Sequence, residues 1–206
     1  HSLLFFIVPP AAAATVQMCY YGVSCFQVGI TLSIVTVSVM EQNAQILTDP
    51  LTGLNNRYGL ERYNERHIQH NAALPLSAMM LDIDRFKQVN DRYGHLEGDR
   101  ALLDVADAVR HGCEAVLPHA FVCRYGGDEF LVVSRECSPD SMERLAAQIQ
   151  RQLEQKNAEQ AYPFRLSVSI GVADGVCNSV EDVKQLLRAA DGAMYRTKTE
   201  SRRKRR

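Results

Sequence analysis

The order of apolar patterns along this chain predicts an α/β fold, of the α+β kind, in which helices flank a mostly antiparallel central sheet and a transmembrane helix comes first. Three observations carry that reading. Helical and strand-length segments follow one another as helix, strand, helix, helix, hairpin, helix, strand, helix, a mixture that fits helices covering a sheet. The pair Gly126-Gly127 stands between Phe121-Val122-Cys123 and Phe130-Leu131-Val132-Val133, a strong hairpin signal. Residues 1 to 40 contain no Asp, Glu, Lys or Arg, which is rare in a soluble domain.

In chain order, Leu3 to Val8 is apolar and is broken by Pro9-Pro10, so it reads as the end of an earlier span. Tyr21 to Met40, YGVSCFQVGITLSIVTVSVM, has the length of about 20 apolar residues with which a helix crosses a bilayer core. A buried core helix is the alternative. Ser24, Gln27, Thr31 and Ser38 share one helical face, with Gly22 and Gly29 near it, the pattern of a face turned toward other helices in lipid. No basic n-region precedes the stretch, which argues against a signal peptide. The start at His1 leads us to expect a fragment of a longer protein. Residues 1–40 are read as membrane segments, and 41–48 as a helical stalk that Asp49-Pro50 ends.

A turn from Leu51 to Asn56 then leads into a helix over about Arg57 to His70. Leu76 to Asp82 has strand length, Ile83 to Val89 reads as a short helix, and Asn90 to His95 as a loop. Gly98 to His111 is amphipathic, with Leu102, Val105, Ala106 and Val109 at helical spacing. After the hairpin, Ser138-Pro139-Asp140 starts a helix that covers Ser141 to Lys156. Phe164 to Ile170 alternates as a half-buried strand closed by Gly171, and a last helix from Ser179 carries Val183, Leu186, Leu187, Ala190 and Met194 along one face. The net charge of −1 indicates no class of partner. The basic residues Arg202 to Arg206 read as a solvated tail or a contact for anionic headgroups. Cysteines 19, 25, 113, 123, 137 and 177 form no C-x-x-C pair and no zinc-spaced cluster with the histidines. They read as small hydrophobes in a reducing compartment.

Asp82 ends the first strand, and Asp128 sits in the hairpin turn Arg124-Tyr125-Gly126-Gly127-Asp128-Glu129-Phe130. If those strands are neighbours, two carboxylates meet at one edge of the sheet. Without Cys or His nearby they are hard oxygen ligands, suited to Mg²⁺ or Mn²⁺, and an ion so held serves phosphoryl transfer. Taken alone, each acidic motif reads equally well as a solvated turn.

Five stretches in order resemble the GGDEF-domain diguanylate cyclases: Asp49-Pro50-Leu51-Thr52-Gly53-Leu54 with Asn56-Arg57; Leu81 to Lys87 with Asn90-Asp91, Gly94-His95 and Gly98-Asp99; Arg124 to Phe130; Ser169 to Ala173; and Ala190-Asp191 with Ala193-Met194-Tyr195 and Lys198. The resemblance covers Thr48 to Arg202. It implies a nucleotide-cyclase or polymerase-palm-like sheet over residues 49–202, with 203–206 as a basic tail. It also implies an enzyme, a nucleotidyltransferase that joins two GTP into cyclic di-GMP as a homodimer with one GTP on each protomer. By the same resemblance, Asp82, the Ile83 carbonyl and Asp128 hold Mg²⁺ or Mn²⁺, and Asp128 helps deprotonate the attacking ribose 3′-hydroxyl. Gly126 and Gly127 let the backbone approach the nucleotide. Lys87 and the amides near Phe86 offset phosphate charge. Lys198 and Arg202 grip the terminal phosphates. Asn90 and Asp99 read the guanine edge, with Asp99 favouring GTP. His95 lies near the nucleotide or simply packs its loop. Glu129 and Phe130 complete the signature without an assigned ligand role. Because GTP is cytosolic, the resemblance implies a catalytic domain in the cytoplasm, tethered to a bacterial inner membrane.

The chain departs from the pattern twice. Many members carry an Arg-x-x-Asp product-inhibition site just before the hairpin, where this chain has Leu117 and Ala120; the resemblance then implies a cyclase without that brake. Ser201 stands where the family has a glycine near the end. Two other functions compete. A non-catalytic GTP-binding module fits less well because Asp82, Lys87, Asn90, Asp99, Asp128 and Glu129 are all present. A nucleic-acid polymerase lacks a basic groove pattern, and no nucleic-acid partner is expected.

Overall fold

The computed structural model describes residues 2–19, 26–44, 47–68, 73–135, 139–159 and 162–204. They form two compact units, His1–Ile46 and Leu47–Arg206.

The first unit pairs helix α1 (Ser2–Cys19) with helix α2 (Phe26–Ala44). They meet where side chains are small. A Cβ on Gly29 would press on Ala13 and the Pro9 carbonyl, and Ser33, one turn further on, is buried. Of the expected packing face, Gly29 lies in this contact, whereas Gln27, Thr31 and Ser38 are exposed, and Gly22 and Ser24 lie outside the described residues. The hydroxyls of Thr31, Ser33 and Thr36 donate to carbonyls four residues back, which satisfies them without a second helix. The expected transmembrane helix is overturned as well. Among the described residues no helix is long and apolar enough to cross a membrane. The expected break at Pro9-Pro10 is corrected too: both prolines fall inside α1, which continues to Cys19. The apolar part of α2, Phe26 to Met40, rises roughly 22 Å before Glu41-Gln42-Asn43 follow, short of a roughly 30 Å hydrocarbon core. Tyr21 to Cys25, which the expected span needed, and the stalk residues 45–46 lie outside the described residues.

The second unit contains α3 (Arg57–Ile68), β1 (Leu74–Ile83), α4 (Phe86–Tyr93), α5 (His95–Val116), β2 (Phe121–Arg124), β3 (Glu129–Ser134), α6 (Pro139–Ala158), β4 (Val168–Cys177) and α7 (Val180–Lys204). The element order is the expected one. The sheet runs β2-β3-β1-β4 with every pair antiparallel. β1 is central and covered on both sides, so its apolar run is nearly continuous. Met79, Leu81 and Ile83 join Phe130 and Val132 in the core under α5 and α6. Leu76, Ala78 and Met80 join Leu131 and Val133 in the core under α3 and α7. Side chains alternate along a strand, so Asp82 continues the second set and Glu129 does the same on β3. Both acids belong to the α7 face. Cys113 and Cys123 are buried in these cores, and burial pushes both thiols up to about 12, as suits small hydrophobes.

Several boundaries differ from expectation; α5, for one, runs from His95 to Val116, beyond Gly98 to His111 at both ends. The short helix begins at Phe86, not Ile83, and continues through Asn90 to Tyr93. Asn90 and Asp91 read as turn residues, but the break falls on Gly94, whose φ of 87° is in the region glycine favours. The last strand begins at Val168 and continues past Gly171 to Cys177. Upstream, the Asn157 amide donates to the Leu166 carbonyl and accepts from its N–H, both at 2.8 Å, and so takes the place of a strand partner. The expected helix end at His70, the expected start at Ser138, and Cys25 and Cys137 lie outside the described residues.

Gly171 explains how α7 reaches the sheet end. A Cβ there would strike the Ala190 carbonyl and the Met194 amide, so the helix backbone rests directly on β4. We expect Gly171→Val to cost about 1 to 3 kcal/mol through overpacking and to push α7 off the sheet. Denaturant unfolding reads the loss.

Candidate active site at the end of the central strands

Asp82 is the last β1 residue on the α7 face and is 5% exposed. Glu129 is its cross-strand partner on β3 and Ser169 its partner on β4. The Ile83 amide donates to the Asp128 carbonyl at 3.1 Å, which ties the hairpin turn to the end of β1. Burial raises the pKa of Asp82, the charges of Asp128 and Asp84 raise it further, and Lys198 offsets part of the rise. Burial also raises Glu129, followed by Asp82, Asp128 and Asp191, again against Lys198. Asp84 is held by the Ser167 and Ser169 hydroxyls at 2.7 and 2.6 Å. Lys198, from α7, donates to Asp82 Oδ1 at 2.6 Å.

The turn itself is clamped from outside the sheet. Arg124 donates through Nε and Nη2 to the Gly127 carbonyl, at 3.1 and 2.7 Å, and through Nη1 to both oxygens of Asp49 at 3.1 Å. Asp49 also accepts from the Thr52 amide and hydroxyl. Burial pushes Asp49 up, but the hydrogen bonds from Thr52 and Arg124 outweigh it and hold the carboxyl below its usual value. The Arg124 amide donates to the Asn55 carbonyl at 2.8 Å, and the Asn55 side chain donates to the Val122 carbonyl. The Asp49-to-Asn55 stretch is thus the platform on which the turn sits. Neither turn glycine has a positive φ. A Cβ on Gly126 would meet the Glu129 carboxylate, whereas one on Gly127 would meet nothing within 4 Å. A side chain at 126 would therefore displace the end of the Glu129 side chain, and there is open space at Gly127.

On the other flank, Arg85 in the left-handed region (φ 58°) precedes α4, and no side chain caps the helix. Phe86 is half-buried, and Lys87 is exposed on the first turn. Gly98 is buried on α5, where a Cβ would collide with the Asn90 amide. Asn90 Oδ1 is buried against Gly98 and, among the described residues, has no hydrogen-bond partner. Asp99 follows Gly98 and is half-buried, while His95 is exposed at the start of α5. Phe130 is fully buried in the core. Arg202 lies on α7 four residues after Lys198, and its side chain lies outside the described residues.

The structure therefore brings together Asp82, Ile83, Asp128, Glu129 and Lys198, and separately Phe86, Asn90 and Gly98-Asp99. The sequence assigns no role to Glu129, Asp84 or Asp191 and does not show the Arg124–Asp49 clamp. Strand alternation placed Glu129 on the face of Leu131, but the β1–β3 register was needed to set it opposite Asp82. Among the described residues no group of three or more His, Cys, Asp and Glu side chains is arranged to hold a metal. The donor chemistry nevertheless fits Mg²⁺ or Mn²⁺: every donor is an oxygen, the carboxylates repel one another, and the Lys198 ammonium stands in for a cation on Asp82. At the expected product site Leu117 is fully buried, and its carbonyl accepts the Ala120 amide at 2.9 Å.

The family model "Diguanylate cyclase, GGDEF domain" matches residues 46–204. The chain is 34% identical over 156 residues to the diguanylate cyclase DosC of Escherichia coli K12, covering 75% of this chain and 33% of that protein. It thus spans about a third of the length of that relative. A solved microbial GGDEF domain studied with cyclic di-GMP is similar, with a TM-score of 0.59 at 33% identity over 77% of this chain and 94% of the other. The GGDEF domain of DgcB from Caulobacter crescentus, in complex with c-di-GMP, has a TM-score of 0.63 at 26% identity over 75% and 91%.

Proposed function

This chain belongs to the GGDEF family of diguanylate cyclase domains, and on that premise we propose that it condenses two GTP into cyclic di-GMP and two pyrophosphates as a Mg²⁺-dependent homodimer. The observation that carries the reading is the pairing of buried Asp82 with Glu129, both held above the ordinary carboxylate range beside Asp128. Asp82, the Ile83 carbonyl, Asp128 and Glu129 would hold the ion. When bound, the ion supplies charge neutralisation at the phosphates and a more acidic attacking hydroxyl.

In this reading each protomer holds one GTP and presents its ribose 3′-oxygen to the α-phosphorus of the GTP on the partner. Asp128 takes the hydroxyl proton as the new P–O bond forms and pyrophosphate leaves; the second bond forms in the same way. Lys87 and the uncapped amides of α4 offset the charge that builds on the phosphate oxygens. Asp99 accepts from guanine N1–H and the 2-amino group, a pair that adenine lacks, and Asn90 Oδ1 supplies a further acceptor. The space at Gly127 admits the nucleotide beside the turn. By its place four residues after Lys198 in the family motif, Arg202 is assigned to the terminal phosphates. With Leu117 in the core, the enzyme works without feedback at that position. Its substrate places the domain in the cytoplasm.

The test is conversion of GTP by purified protein with Mg²⁺ or Mn²⁺. Cyclic di-GMP is the expected product, and ATP gives no corresponding product.

A further inference from the structure

Lys198 and Asp82 sit closer together than the proposed mechanism requires. The ammonium lies 2.6 Å from Asp82 Oδ1, and the two side chains are only 18% and 8% exposed. We propose that Lys198 is the resident counter-ion of the cation site: without a divalent cation it pairs with the Asp82 carboxylate, and cation binding releases it toward the nucleotide phosphates. The inference rests on the proposed cyclase site.

Three features support it. Asp82, Asp128, Glu129 and Asp191 crowd one corner of the sheet, and Lys198 is the basic group that draws Asp82 and Glu129 back. Lys198 is fixed at its root, because one turn earlier the Met194 backbone abuts Gly171; only the flexible four-carbon stem has to move. A Mg²⁺ ligated at about 2.0–2.1 Å by the carboxylate that accepts this ammonium would lie close to it, and the two cations repel. Lys198 therefore changes partner rather than adding one. The exchange couples two ligands: phosphates that accept Lys198 leave Asp82 open to the cation, and reciprocity requires the cation to favour the phosphates equally.

The experiment uses the full chain with Mn²⁺ alone, without nucleotide. Lys198→Met should bind Mn²⁺ roughly tenfold more tightly than the parent, the factor that about 1.4 kcal/mol gives. In EDTA the variant should melt lower than the parent, and Mn²⁺ should raise its melting temperature further. Lys87→Met removes an equal charge without freeing an Asp82 oxygen and should leave Mn²⁺ affinity near that of the parent. A crystal structure of the parent with Mn²⁺ should show Lys198 off Asp82. Unchanged or weaker Mn²⁺ binding by Lys198→Met, an equal gain in Lys87→Met, or a Mn²⁺-bound structure with the pair intact overturns the proposal. None of these measurements involves turnover. A protein that makes the exchange yet forms no cyclic di-GMP refutes the cyclase reading alone.

Discussion

Asp82→Asn abolishes cyclic di-GMP formation, by roughly a thousandfold or more if the cation's several kcal/mol of transition-state stabilisation are lost, and leaves the fold standing. The side chain keeps its shape and loses the charge a cation needs. Stability follows a separate argument. Burial, then Asp128 and Asp84, disfavour ionised Asp82 more than Lys198 favours it. A carboxylate whose folded pKa is raised contributes stability below its unfolded pKa and loses it as pH rises through the folded value. At neutral pH the charged form is thus a burden on the fold, and the amide relieves it. The metal-free variant should melt no lower than the parent at neutral pH and should no longer gain stability from Mg²⁺. Turnover near that of the parent would remove Asp82 from the site. A collapsed melting temperature would make it a structural group.

Arg124→Ala lowers turnover about a hundredfold, as a catalytic group moved by about an ångström does, and costs about 2 kcal/mol of stability through lost charge-assisted hydrogen bonds. Arg124 is the link between the Asp49 platform and the Gly127 carbonyl. Without it, Asp49 keeps only Thr52, and the turn that carries Asp128 and Glu129 loses its brace. Arg124→Lys should recover stability better than turnover, since an ammonium cannot reproduce the two-sided fork. Asp49 supplies a pH check. Its folded pKa lies below the usual 3.8, so its contribution is present above that pH and is lost as pH falls through the folded value. Melting curves of the parent and Asp49→Asn should differ at neutral pH and converge in stronger acid. Equal stability at both pH values would show that the clamp contributes nothing.

Local chemistry was legible in the sequence, and long-range pairing was not. Gly126-Gly127 between apolar runs located the hairpin, and the run from Leu76 to Asp82 located the central strand, because both signals lie within a few residues. Glu129 was left without a contact because its place opposite Asp82 depends on the β1–β3 register, which neither strand states alone. The Arg124–Asp49 clamp joins residues 75 positions apart. Asn90-Asp91 resembled a turn, yet the break falls at Gly94. Phe164 to Ser167 alternates like a strand, but the Asn157 amide of α6 holds its backbone instead. The charge-free run has the length of a membrane span, but α2 has polar Glu41-Gln42-Asn43 near its end, and among the described residues no helix is long and apolar enough to cross a membrane.

Turnover by the parent and by Asp128→Ala, each verified as a dimer and supplied with GTP and Mg²⁺, tests the central claim most directly. The parent should release cyclic di-GMP with two pyrophosphates for each product, and Asp128→Ala should bind GTP without converting it. GTP binding by the dimeric parent with no cyclic di-GMP formed would contradict the account.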